Sequence, residues 1–315
     1  MSKKVLITGI TGMLGLDVSK TFSNDNYNVY GIARNKKNNF IFDNNVKVEY
    51  FDLINLDKTK QFIQSINPDI IVHCAANVNL SKCENDKNMA NKINSEVPGQ
   101  IASFTDENTK LIYISTDSLF NGEKGNYKEE DDTFPLNKYA KSKLLGEKKV
   151  RENKENFIII RTNIIGFHIP WASSLFEWAL KKLINQNSIK GFNDTIFNPV
   201  TTKQLATIIK ILVENQDNRG IINIGSKKYI SKYEFLLKVA EKFGIEKDLI
   251  QPASIDILNT SIKRPKNTTL NNSKIKKILN EEKYLDLNWG LNELKKDLLN
   301  QYIFARGINF EQFNN

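Results

Sequence analysis

The chain has 315 residues, 40% of them apolar and 26% charged, long enough for one large α/β domain plus a smaller one and too ordinary for a disordered or fibrous protein. Its formal charge of +9 favours an anionic partner, but the lysines are scattered among asparagines with no basic cluster interleaved with aromatics, so nucleic-acid binding is not expected. Cys74 and Cys83 match no metal or redox spacing, no apolar run reaches the roughly 18 to 20 residues a bilayer span needs, and no signal peptide precedes the first strand; the expectation is a cytoplasmic protein with reduced thiols, no metal and no membrane partner.

Short β-branched apolar runs alternate with longer amphipathic stretches through the first half, the pattern of βαβ units on a parallel sheet. Strands are predicted at residues 4–8, 28–32, 47–50, 70–73, 111–115 and 157–161, and helices at about 14–23, 59–66, 88–104 and 139–151. The near-continuous hydrophobicity of runs such as DIIVHCAA suits strands covered on both faces of a doubly wound sheet. After about Gly166 the rhythm breaks. Helices are predicted near 174–185, 202–214, 231–243, 273–279 and 291–305, with a short strand at 220–225 and a polar tail after Gly307.

The string VLITGITGMLG places Gly9, Gly12 and Gly15 directly after the first strand and at the start of a helix. Gly9 would allow a tight turn, Gly12 close backbone approach to a pyrophosphate and Gly15 close helix-on-strand packing, with Thr11, Met13 and Leu14 in the same turn. The alternative is a glycine-rich turn without a ligand. This is an NAD(P)-binding Rossmann pattern. It divides the α/β chain into a cofactor domain at 1–165 and a smaller C-terminal α/β substrate lobe at 166–315, with the segment near 195–226 packing back onto the first. The second strand ends in YGIARNKKN, which offers Arg34, Lys36 and Lys37 and no acid for a ribose 2′-hydroxyl. That favours NADP(H) over NAD(H), since Arg34 can meet a 2′-phosphate with a fork of donors; solvated loop charges are the other reading. Ala75 and Ala76 after the fourth strand are small enough for close backbone approach to the cofactor, while His73 reads as structural.

Tyr139 and Lys143 are four residues apart in NKYAKSKLLGE, so on a helix they share one face. A phenol has a reference pKa of about 10, and an adjacent ammonium is expected to lower it, letting Tyr139 act as general acid to a carbonyl or general base in reverse. A surface pair is the bland alternative. About two dozen residues upstream the fifth strand ends in Ser115-Thr116-Asp117.

With its G-x-x-G-x-x-G spacing and this Thr, Tyr and Lys set, the chain resembles the extended short-chain dehydrogenase/reductase family. The stretches at 73–94, 115–147 and 264–279 resemble its dTDP-4-dehydrorhamnose reductase group. The resemblance implies NADPH-dependent reduction of the C4 ketone of a nucleotide-activated deoxysugar, in surface polysaccharide or glycan biosynthesis, by a monomer or homodimer. It assigns Thr116, Tyr139 and Lys143 as the catalytic triad, with Lys143 also on the nicotinamide ribose. Asp52 and Leu53 after the third strand and Asn94 join the cofactor set, although Asp52 could equally be a helix N-cap. Asp117, Ser118, Asn198, Thr201 and Thr202 fall near the sugar, and Arg264 suits the nucleotide diphosphate or a turn-anchoring salt bridge. Trp171 and Trp178 either stack on the nucleotide or pack in a core. Ser118 departs from the tyrosine usual in the group, and it replaces the glutamate of the related 4,6-dehydratases, which argues against that reaction. A 4-epimerase with the same triad, and an NADP(H)-binding regulatory subunit without turnover, remain the alternatives.

Overall fold

The computed structural model describes residues 2–25, 27–36 and 42–302. Seven strands, β1 (Lys4–Thr8), β2 (Asn28–Ala33), β3 (Val46–Tyr50), β4 (Ile70–His73), β5 (Lys110–Ile114), β6 (Phe157–Thr162) and β7 (Gly220–Ile224), form one sheet in the order β7-β6-β5-β4-β1-β2-β3. Every pairing is parallel. The order reverses between β1 and β4, and the carboxyl ends of the strands there open the crevice in which such sheets bind ligands.

The main helices are α1 (Met13–Ser23), α2 (Leu56–Ile66), α3 (Val97–Phe104), α4 (Lys138–Asn153), α5 (Leu175–Ile184), α6 (Thr202–Glu214), α7 (Lys232–Phe243) and α8 (Leu287–Tyr302). Alternate strand residues face opposite sides. Val5, Ile7, Ile112 and Ile158 pack with Val18 and Phe22 of α1 and Leu205, Ile208 and Leu212 of α6. On the other side Leu6, Ile71, Leu111 and Ile159 meet Ile63 of α2, Ile101 of α3 and Val150 of α4. The six strands predicted in the first half match to within a residue at each end. The run at 220–225 becomes the seventh, in register with β6 from Gly220 opposite Ile158 to Ile224 opposite Thr162.

The predicted helix at 88–104 is broken. Short helices Leu80–Asn85 and Lys87–Asn91 lead into a π-turn at Lys92–Glu96 before α3. Pro98 has no N–H to give the Asn94 carbonyl one turn back, and that carbonyl accepts instead from the Tyr113 hydroxyl at 2.8 Å.

A second core joins Phe176 and Leu183 of α5, Phe235 and Val239 of α7, and Leu291 and Leu294 of α8. Beside it Ile189–Phe192 pairs in parallel with Ile250–Ala253. Capping boxes start α5, α6 and α7 at Ser174, Thr201 and Ser231. The predicted helix at 273–279 is shorter, Ser273–Lys276, and the last helix begins earlier, at Leu287. Its predicted end at 305 and the tail after Gly307 lie outside the described residues. No helix among the described residues is long and apolar enough to cross a membrane.

Candidate active site

The chain leaves β1 through Gly9 at φ +66°, where a Cβ would stand 2.9 Å from the Ala75 backbone. A Cβ on Gly15 would lie 2.3 Å from the Gly9 carbonyl oxygen and 2.7 Å from Ile10 Cα, so only glycine lets α1 sit this close to the turn. Gly12 is the N-cap of α1; it supplies no side-chain cap, and the first turn carries no acid. The amide end of α1, with Thr11, Met13 and Leu14 around it, is a cradle left open for a phosphate group, and it fits a dinucleotide.

Arg34 and Lys36 follow β2 and are exposed; Lys37 lies outside the described residues. Asp52 follows β3, exposed, and its carboxylate accepts from the Ile54 N–H at 3.1 Å. It is not the cap of α2, which is Asn55. Leu53 is half-buried beside it, and Ala75 and Ala76 follow β4. These residues share the carboxyl edge of the sheet with the glycine turn. Asn94 does not offer its side chain to a cofactor. Its amide donates to the Asn77 carbonyl and to Ser142 Oγ at 2.9 Å each, and its Oδ1 accepts from the Asn77 N–H at 2.8 Å. It is a strut between the loop after β4 and α4. His73 is structural as expected: buried, in contact with Thr8 Oγ1 at 2.9 Å, stacked on Tyr113, and pushed down to about 3 by burial with Lys143 adding to the shift.

Asn137 caps α4 by accepting from the Ala140 N–H at 2.9 Å, and its amide donates to the Lys263 carbonyl at 3.1 Å. This places Tyr139 in the first turn and Lys143 one turn on. Thr116, just past β5, hydrogen-bonds the phenol. Burial pushes Tyr139 up to about 12 against the pull of that bond, with Asp117 and Cys83 adding to the rise. Burial also pushes Lys143 down to about 7, opposed by Glu147 and Cys74. The expected lowering of the phenol by the ammonium is therefore corrected, because burial dominates and the charged neighbours that act on the phenol, Asp117 and Cys83, raise it further. The Lys143 ammonium rests 4.0 Å from the centroid of the Tyr113 ring.

Beneath Lys143, Glu147 accepts from Ser115 Oγ at 2.6 Å and from the fork of Arg161 at 3.1 Å (Nε) and 2.8 Å (Nη2). Both partners are almost fully buried. The sequence reading missed Tyr113, Glu147 and Arg161. The one signal available was that Glu147 follows Lys143 by four residues, on the same face of α4.

Asp117 is buried and accepts four hydrogen bonds: from Thr116 and Ser118 hydroxyls at 3.2 Å each, from Asn163 at 2.9 Å and from Thr268 at 2.5 Å. Ser118 is half-buried beside it and Arg264 exposed. Lys232, also absent from the sequence reading, lies across the Phe197 ring near both Asp117 and Arg264.

Three residues expected near the sugar have their polar groups engaged within the fold. Asn198 donates to the carbonyls of Ser226 and Leu270 and accepts from the Leu270 N–H. Thr201 caps α6, and Thr202 bonds Asp17 of α1. All three are buried, and their polar groups hold loops and helices together. Trp171 is half-buried and packs against the second core, while Trp178 is 39% exposed on α5.

A family model described as RmlD substrate binding domain matches residues 3–288. Methionine adenosyltransferase 2 subunit beta of Pongo abelii is 30% identical over 284 residues, 87% of this chain and 82% of the relative. A hypothetical dTDP-4-dehydrorhamnose reductase from Sulfolobus tokodaii superposes with a TM-score of 0.76 at 32% identity, covering 89% of this chain and 96% of that one. The dTDP-4-dehydrorhamnose reductase of Bacillus anthracis, solved in complex with NADP, superposes with a TM-score of 0.82 at 23% identity, covering 94% and 100%.

Proposed function

We propose, from the premise that this chain belongs to the RmlD substrate binding domain family, that it is an NADPH-dependent reductase of the C4 ketone of a nucleotide-linked deoxysugar, in surface polysaccharide or glycan assembly. The observation that carries the reading is the hydrogen bond between Thr116 and Tyr139 just past β5, with Lys143 one helical turn on in α4, against the Tyr113 ring and near Cys74 at the end of β4. The S. tokodaii and B. anthracis neighbours bear the corresponding reductase name. A 2′-phosphate suits exposed Arg34 and Lys36 after β2, with Gly9, Gly12 and Gly15 giving the diphosphate its approach.

When bound, the reduced dinucleotide supplies the hydride. As the carbonyl oxygen gains negative charge, Tyr139 gives it the phenolic proton, and a phenol held near 12 stays fully protonated for that step at neutral pH. Thr116 shares the phenol's hydrogen bond and steadies the same oxygen. Lys143, in its charged form, stabilises the phenolate left behind and draws a proton from solvent to restore it. Asp117 holds Thr116, Ser118, Asn163 and Thr268 in place beside the sugar through its four hydrogen bonds, and Ser118 leaves room where the group carries tyrosine.

The test is NADPH oxidation with a panel of dTDP-, UDP-, GDP- and CDP-linked 4-keto sugars. Stoichiometric turnover on one of them, lost on Tyr139→Phe, is expected; absence of turnover on all despite tight NADPH binding overturns the reading. Turnover without net NADPH consumption would instead mark an epimerase. Arg34→Ala should weaken NADPH and leave NADH unchanged in calorimetry. A second reading has its own support in the 30% identity to a methionine adenosyltransferase beta subunit: a non-catalytic NADP(H)-binding partner of another enzyme. It predicts NADPH binding, no turnover and a stable complex with an adenosyltransferase catalytic chain.

A further inference from the structure

Near Asp117 stands a cation that the catalytic set does not use. Lys232 opens α7, and its backbone is fixed on several sides. The preceding Ser231 and Glu234 form a capping box, the Lys232 N–H donates to the Thr195 carbonyl at 2.9 Å, and Ile230–Ser231 pairs with Ile196–Phe197. The ammonium lies 3.3 Å from the centroid of the Phe197 ring. Among the described residues it makes no hydrogen bond and no ion pair.

The charged groups that act on it are Asp117, beyond the end of β5, and Arg264, from the loop that also binds the cap of α4. At this corner Asp117 brings one negative charge against two positive ones, so it cannot neutralise the pair fully. Its oxygens also already accept from Thr116, Ser118, Asn163 and Thr268, which leaves no direct bond to either cation among the described residues. A desolvated ammonium against an aromatic face recovers only part of its lost hydration from the ring, so the corner favours an incoming anion. The corner is also placed with respect to the chemistry, since Asp117 adjoins Thr116 and Thr116 bonds Tyr139.

The geometry points to Lys232 as a substrate-specificity residue that, with Arg264, grips the diphosphate of a nucleotide-linked sugar whose ketone reaches Tyr139; this rests on the reductase reading above. A diphosphate offers two anionic groups to two cations of different character, a point-charge ammonium and a forked guanidinium. Burial holds the free amine down at about 8, with Asp117 opposing and Arg264 reinforcing the shift. A bound phosphate raises it again, so binding takes up a proton near and above that pH.

The experiment measures dTDP and UDP binding to the NADPH-loaded protein by calorimetry, in the wild type, Lys232→Met and Lys232→Arg. Lys232→Met should weaken both diphosphates about tenfold or more, while Lys232→Arg stays within about threefold. Affinity for thymidine, uridine and NADPH should not move. In the wild type, affinity should fall as pH rises through about 8, where the amine loses its charge, and Lys232→Arg should remove that fall. Wild-type-like diphosphate binding by Lys232→Met, or a pH fall unchanged in Lys232→Arg, overturns the inference while leaving the reductase reading intact. A wild type that binds no nucleoside diphosphate overturns both.

Discussion

Lys143 sits between one aromatic face and one carboxylate that it shares with Arg161. Burial brings its ammonium down to titrate near neutrality, at about 7. Its charged form exists below that value and is lost above it, so kcat/KM for ketone reduction should be level at lower pH and decline as pH rises through about 7. Glu147 pulls the ammonium upward, so Glu147→Gln should move the decline to lower pH. The same substitution strips a buried Arg161 of its carboxylate, for which a loss of about 3–5 kcal/mol is expected in denaturant unfolding. A variant with an unmoved pH profile and unaltered stability would refute both roles. Tyr139 and Lys143 stood out only when their spacing was joined to Thr116 at the end of the fifth strand and to the glycine turn. Tyr113 and Glu147 did not stand out, because a tyrosine inside an apolar strand reads as core and a glutamate in a lysine-rich helix reads as solvated charge. Asn198 and Thr201 show the limit from the other side: polarity in a loop shows that a hydrogen bond is needed, and here the fold supplies one.

Among the elements, the glycine turn and α1 form a unit whose clearance is set by missing atoms. Gly15→Ala would drive a Cβ into the Gly9 carbonyl and the Ile10 backbone, neither of which is a flexible side chain. A stability loss of about 1–3 kcal/mol is expected, and with it markedly weaker NADPH binding in calorimetry as the helix shifts off the turn. Retained affinity would mean that α1 does not set the cradle. Strand positions were legible because both faces of the sheet are covered, which forces unbroken apolar runs. The segment at 88–104 was misjudged because its helical periodicity continues through the π-turn, although Pro98 marked the place where a carbonyl would be freed.

At the scale of the whole molecule, the second core is not a simple appendix to the sheet. The chain builds β1 to β6, crosses to the second core at 165–197, returns to supply α6 and β7, and crosses again before Ile275 and Leu285 rejoin the first core. A fragment of residues 1–165 would expose the edge of β6 and the apolar face that Leu205, Ile208 and Leu212 cover. It should show no cooperative thermal transition by circular dichroism, whereas the full chain should melt cooperatively; a sharply melting fragment would show that the sheet folds alone. The return was legible from the run at 220–225. The lobe's other strands were not, since pieces of two to four residues carry no readable period.

The return of β7 to the edge of β6 also bears on inheritance. A lobe that leaves and rejoins its partner several times cannot be exchanged between relatives by one crossover, as a tethered module could. Recombination aimed at a new sugar would need junctions at each passage, all in register. On the proposal that Lys232 and Arg264 grip the diphosphate, substitution around them and Ser118 is the shorter route by which such a chain would change what it accepts.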